Sequence, residues 1–181
     1  MLLAIKTHIQ TAERQGFSKT MERNDRVVRA YVEAFNRGNV EDVCECFTPD
    51  AIVYGILGPG SLTEVRPLWE SLMQSFTPKI HIESIVSEGD TLAVRYIERG
   101  TFSASFRGHK PTGRSYKIAA MEWFVFRDGR ISRRWGVRDA AAISRQVGLP
   151  AKSDRPGISL FDFCSPRAWR AHERDLANNA A

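Results

Sequence analysis

The chain has 181 residues, 43% of them hydrophobic, and a formal net charge of +5, which supports one well-buried core and is too short for two domains of ordinary size. Cys44, Cys46 and Cys164 cannot all pair, and a Cys-x-Cys inside a helix points its side chains to different faces, so neither a disulfide framework nor a zinc site is indicated. The apolar opening, residues 1–5, is broken by Lys6 and His8 and supplies neither a signal-peptide core nor a bilayer span; a cytoplasmic location with no membrane partner is the expectation.

Residues 1–22 are mixed and polar and read as an N-terminal appendage, because Asn24 or Asp25 is placed to cap a helix in "ERNDRVVRAYVEAFNRG". Val28, Tyr31, Val32 and Phe35 recur there at helical spacing, and Gly38 sits where a C-terminal cap belongs. Asn39 caps a second short helix with Val40, Val43, Cys44 and Phe47 on one face, ended by a Thr-Pro-Asp turn at 48–50. "AIVYGIL" reads as a strand. A Gly-Pro-Gly loop at 58–60 then leads into a third helix, "LTEVRPLWESLMQSF", in which Pro67 either lies in the first turn or moves the start to about Arg66.

From Lys79 the period changes to alternation, giving four strand-like runs: "KIHIESIVSEGD", "TLAVRYIERGTFSASF", "RSYKIAAMEWFVF" and "RISRRWGVRD". "AAAISRQVGL" is a short helix ended by Gly148 and Pro150. Helices followed by an antiparallel sheet make an α+β layout, with the main domain over residues 23–150. Residues 151–181 form a C-terminal extension whose Phe161, Phe163 and Trp169 are too apolar for a solvated tail, and whose Ser165 and Pro166 suit a helix start. A lid or a dimer arm is the expectation for it.

Asp128-Gly129 between the last two strands is the signal for a two-residue type I′ turn. Strict alternation from that turn pairs Phe126 with Ile131, Phe124 with Arg133, Glu122 with Trp135 and Ile118 with Asp139. One face then carries Ile118, Glu122, Phe124, Arg133, Trp135 and Asp139, apolar with charges set into it; Glu122 and Arg133 read as an ion pair. Asp139 reads equally as the N-cap of the helix that follows and as a working acid on a pocket wall. The opposite face, with Met121, Trp123 and Val125, is also apolar, and two greasy faces predict a homodimer through the outer one. Arginines at 127, 130, 133, 134 and 138 crowd this hairpin, but with Glu122, Asp128 and Asp139 beside them and no reading-head motif they predict no nucleic-acid partner.

Three helices followed by this sheet resemble the nuclear transport factor 2-like cone, in which helices pack on a curved antiparallel sheet that encloses a pocket. The "GHKPTGR" turn at 108–114, the "RDGRI" hairpin and the Trp135 to Asp139 spacing resemble the SnoaL-like polyketide cyclases and their ester-cyclase relatives, over residues 24–150. The resemblance implies an enzyme that closes a ring on a hydrophobic carbonyl substrate, such as a polyketide ester, by intramolecular aldol condensation, with no metal or organic cofactor. Carried over by position, the family's acid/base aspartate corresponds to Asp139. Proton removal next to a carbonyl needs a partly desolvated base, and Arg133 would then stabilise the enolate oxygen. Tyr54 and His109 would be rim contacts, with Phe124, Trp135 and Ile118 also against the substrate; Glu122, with Arg133 beside Asp139, would supply the second acid that a hydrolase needs. Folds of this kind also host hydrolases, isomerases, dehydratases and non-catalytic ligand-binding modules, and these stand as the alternatives.

Overall fold

The helical spacing of Val28, Tyr31, Val32 and Phe35 is realised in α1 (Leu2–Arg37), where all four are buried against the sheet. The structure is a computed structural model; it describes residues 2–55 and 58–149, with side chains from residue 19 onward. No helix starts at Asn24. The helix formers Lys19, Met21, Glu22 and Arg23 carry α1 straight through it, so Asn24 is a buried mid-helix residue, and Asp25 instead pairs with Arg29 one turn on at 2.7 Å. Gly38 ends α1 at φ 75°.

Asn39 caps α2 (Val40–Glu45), its side chain accepting from the Asp42 N–H at 3.2 Å. The turn expected at 48–50 is part of β1 (Phe47–Gly55), and the Gly-Pro-Gly stretch forms the short β2 (Gly58–Ser61). α3 (Leu62–Phe76) begins five residues before Pro67. Its start is set by Ser61 and Glu64: the Glu64 carboxylate accepts from both the backbone N–H and the hydroxyl of Ser61 at 2.7 Å. The proline therefore falls in the second turn.

β3 (Lys79–Glu88), β4 (Thr91–Thr101), β5 (Ser115–Arg127) and β6 (Arg130–Arg138) follow the four alternating runs, and α4 (Ala140–Val147) follows the last. The sheet order is β2-β1-β6-β5-β4-β3. It is mixed: β1 runs parallel to β6 while all other neighbours are antiparallel.

Asp128 and Gly129 both take positive φ, 53° and 78°, as a type I′ turn requires. Arg127 pairs with Arg130 and Phe126 with Ile131. The register then shifts: Val125 pairs with Arg133, Phe124 with Arg134, Trp123 with Trp135 and Glu122 with Gly136. Ser132 is the extra residue, its hydroxyl donating to the Val125 carbonyl at 3.0 Å. Because side chains alternate, one extra residue turns the rest of β6 over. The inner face of β6 thus carries Arg134 and Arg138 around Gly136, and Arg133, Trp135 and Val137 face outward, contrary to the strict-alternation reading.

Two apolar clusters fill the space between helices and sheet. The larger gathers Tyr31, Phe35, Phe47, Trp69, Leu92, Val94, Phe124 and Ile131; the smaller gathers Phe76, Phe102, Phe106, Tyr116, Ile118 and Ile143. The outer face leaves Met121, Trp123 and Val137 exposed by 59%, 50% and 65%. Among the described residues no helix is long and apolar enough to cross a membrane. The expectations for residues 151–181 lie outside the described residues.

Candidate functional site

An apolar cavity opens where the two clusters meet. Its empty space, counted together with the open mouth, is about 850 Å³. Leu68, Trp69, Leu72 and Phe76 of α3 form one wall, with Phe35 of α1 and Ile143 of α4 beside them. The sheet wall is polar: Glu98 of β4, Tyr116 of β5, and Arg134 and Arg138 of β6.

These side chains are bonded into a chain of alternating charge. The Tyr116 hydroxyl donates to Glu98 Oε1 at 2.8 Å, and Arg138 Nε donates to Glu98 Oε2 at 2.6 Å. Arg138 Nη2 reaches Glu122 Oε1 at 3.0 Å, and Arg134 pairs with the same oxygen. Tyr96 donates to Glu122 Oε2 at 3.3 Å. Two guanidiniums and two carboxylates thus sum to zero charge, the condition under which ionised groups are tolerated away from water. Arg134 also lies over the rings of Tyr31 and Trp69, 5.9 and 5.8 Å from their centroids. Its buried Nε–H has no acceptor among the described residues.

Gly136 permits this crowding. A Cβ there would stand 2.9 Å from Arg134 Nη2 and 3.1 Å from Arg138 Nη1, so no side chain fits between the two guanidiniums without displacing them.

The two carboxylates differ in access. Glu122 has no exposed side-chain surface and does not line the cavity, whereas Glu98, 7% exposed, does. Burial pushes the Glu122 carboxyl up, but Arg134 and Arg138 outweigh it and hold the group below the ordinary carboxylate range. Burial, reinforced by Glu98, pushes the Tyr116 phenol well above its ordinary value, so Tyr116 is a neutral donor at physiological pH. Burial disfavours the charged form of Arg138, yet Glu98 and Glu122 keep it protonated.

A fifth polar group comes from the loop after β4. Phe106 and His109 exchange backbone hydrogen bonds of 3.1 and 2.9 Å around Arg107 and Gly108, whose φ values of 48° and 81° make a tight two-residue turn. That turn sets Arg107 against the cavity, with its guanidinium 5.7 Å above the Phe106 ring and its pKa lowered by burial.

The residues singled out from the sequence are dispersed. Glu122 belongs to the charge chain, but its partners are Arg134 and Arg138, not Arg133, which is exposed on the outer face because of the extra residue at Ser132. Trp135 is turned outward for the same reason and stacks on Tyr54, with ring centroids 4.7 Å apart and planes at 6°. Ile118 and Phe124 are buried in the two apolar clusters, and His109 only closes the turn that carries Arg107. Asp139 is exposed and caps α4, accepting from the Ala142 N–H at 2.8 Å. Of these eight side chains none lines the cavity.

The cavity-wall residues Glu98, Tyr116, Arg134 and Arg138 were missed. For Glu98 a signal existed: in "TLAVRYIERG" it shares the parity of Leu92, Val94 and Tyr96, a charge on the apolar side of a strand. For the arginines alternation pointed the wrong way. Among the described residues no group of three or more His, Cys, Asp or Glu side chains is placed to hold a metal ion.

Helices stacked on a mixed sheet around an apolar cavity with one polar wall define a nuclear transport factor 2-like protein. The solved structure of AclR, a candidate hydroxylase from Streptomyces galilaeus, superposes with a TM-score of 0.66 at 25% identity, covering 72% of this chain and 99% of that one. IdmH, a candidate polyketide cyclase from Streptomyces antibioticus, superposes at 0.63 with 28% identity, covering 70% and 99%. In sequence, the aklanonic acid methyl ester cyclase AcmA of Streptomyces galilaeus is 28% identical over 131 residues, 68% of this chain and 89% of the relative. Residues 25–147 match the family model for SnoaL-like polyketide cyclases, and the chain belongs to that family.

Proposed function

We propose that this protein closes a ring on a hydrophobic polyketide ester by intramolecular aldol condensation, a substrate of the kind named in its relative AcmA. The observation that carries this reading is the cavity itself: apolar on the helix side, with hydrogen-bond donors gathered on the sheet side. A flat polycyclic substrate would lie against Trp69, Leu72 and Phe76 with its reacting oxygens toward Arg134, Arg138 and Tyr116. An enolate formed there meets the fixed positive charge of Arg134 and Arg138 on the sheet wall. Hydrolysis fits less well, because it asks for a second acid opposite the first, and Glu98 is the one carboxylate among the described lining residues.

The test is incubation of the protein with aklanonic acid methyl ester and a panel of keto esters on polycyclic cores, followed by mass spectrometry and NMR. Ring closure yields a product of unchanged mass that has lost a ketone carbonyl and gained a hydroxyl-bearing carbon. Recovery of every substrate unchanged would overturn the reading.

The same reading includes a homodimer through the outer sheet face, supported by the exposed Met121, Trp123 and Val137. Sedimentation should give twice the chain mass for the natural protein and a single chain mass for Trp123→Glu; a natural protein sedimenting as one chain rules the dimer out.

A further inference from the structure

The carboxylates Glu83, Glu98, Glu122 and Asp139 lie on or beside the sheet, and their surroundings sort them. Glu122 is sealed behind the sheet wall, its oxygens engaged by Arg134, Arg138 and Tyr96. Asp139 is exposed, its Oδ1 occupied by the α4 backbone. Glu83 lies on β3, paired with the exposed Arg95. Glu98 alone of the four lines the cavity, buried and fixed at both oxygens by donors of known identity.

From this placement we infer that Glu98 is the proton-transferring carboxylate of the cavity, with Tyr116 and Arg138 as positioning residues. The inference rests on the carbonyl chemistry proposed above and names the group that performs it. Glu98 takes a proton from the carbon beside the substrate carbonyl, and the C–H electron pair moves to form the enolate. The enolate carbon bonds to the second carbonyl carbon, whose π pair becomes an alkoxide, and Glu98 returns the proton to that oxygen. Nothing is oxidised or reduced, and the carboxylate is regenerated.

The charge balance favours such a step. Before transfer, Glu98 and Glu122 neutralise Arg134 and Arg138; after it, the negative charge has moved from Glu98 to the enolate oxygen. Arg138, which holds Glu98, also lines the cavity, so the charge moves within a field that is already in place. The apolar helix wall keeps water away from the reacting atoms. Tyr116 and Arg138 hold the carboxylate at two points, so its approach to the substrate carbon does not depend on a free rotamer.

The test separates this inference from ring closure by reading proton transfer alone. The protein is incubated in D2O with 2-tetralone, a bicyclic ketone that cannot cyclise, and deuterium entry beside the carbonyl is followed by NMR. The natural protein should accelerate exchange, and Glu98→Gln should lower that acceleration about 100-fold or more. Glu98→Asp keeps the charge and the ion pair, guarding against a folding failure, yet withdraws the carboxylate and should lose about 10- to 100-fold.

Exchange by Glu98→Gln within about threefold of the natural protein, absence of exchange by the natural protein, or loss in Asp139→Asn with retention in Glu98→Gln would each overturn the inference. Glu98-dependent exchange without ring closure on any ester would uphold it while removing the aldol reading. For Tyr116 the readout is the split between kcat and KM. Glu98 is faced by Tyr116 and Arg138, with Arg134 and Arg107 elsewhere on the wall. Tyr116→Phe removes one of the two bonds that fix the carboxylate and should lower kcat for exchange with KM unchanged, whereas loss of mere packing on the cavity wall would raise KM as well.

Discussion

The inner face of the sheet contains two regions that use the same residue types for opposite ends. In one, Glu122 lies under Tyr31, Tyr96 and Phe124, out of contact with solvent and cavity, and its charge only balances Arg134 and Arg138. In the other, Glu98 shares Arg138 but stands on the cavity wall. A single guanidinium bridges the two, through Nε to Glu98 and Nη2 to Glu122. An ion pair by itself therefore says little about role; what distinguishes the two carboxylates is whether anything other than protein can reach them.

The contrast breaks most sharply at Glu122. Glu122→Gln leaves two buried guanidiniums with one carboxylate between them, and breaking a buried pair in this way costs about 3–5 kcal/mol. Much of a small domain's stability is of that size. Urea denaturation should show the loss, and Glu98→Gln should show a smaller one because its partner Arg138 keeps Glu122. Acid titration reads the same region. The folded Glu122 carboxyl lies below its ordinary 4.5, so its contribution is present above that pH and drains away as pH falls through the folded value. The acid-induced drop in melting temperature below pH 4.5 should accordingly be shallower in Glu122→Gln.

A smaller effect sharpens the link between the regions. Gly136→Ala sets a methyl group against both guanidiniums and should cost about 1–3 kcal/mol by overpacking. Because Arg134, a lining residue, must shift, the variant should also weaken binding of any ligand that fills the cavity, measurable by calorimetry. Smallest is the rim. Asp139→Ala removes the α4 cap and should cost about 1 kcal/mol, while Asp139→Asn retains the capping oxygen and should cost a few tenths; thermal melts of the pair distinguish a capping aspartate from one held by further contacts.

Most of the architecture was legible in the sequence, because α1 to α4 and β3 to β6 follow from periodicity, caps and one Asp-Gly turn. The start of α1 was misread since a capping residue is also an ordinary helix residue when helix formers precede it, as they do at Asn24. On β5 the inward face was legible, because Ile118, Glu122 and Phe124 alternate without interruption, but Tyr116, the residue of that face that lines the cavity, was not singled out. On β6 a single unpaired residue, Ser132, has no distinctive side chain to announce it. Local alternation therefore placed Arg133 inward and Arg134 outward. Long-range pairing with β1 and β5 settles the question, and that information is spread over residues far apart in the chain.

The bulge at Ser132 also has a meaning for inheritance. It works as a phase marker along β6: delete that one codon and tryptophan and valine swap places with two arginines, so a cavity wall becomes a greasy plug and the outer surface becomes basic. When relatives are aligned through "RISRRWGVRD", a gap slipped by one column would compare a chemical group in one protein with a surface residue in another. Aligning by strand phase, with Gly136 as the fixed point, is the comparison that keeps like with like.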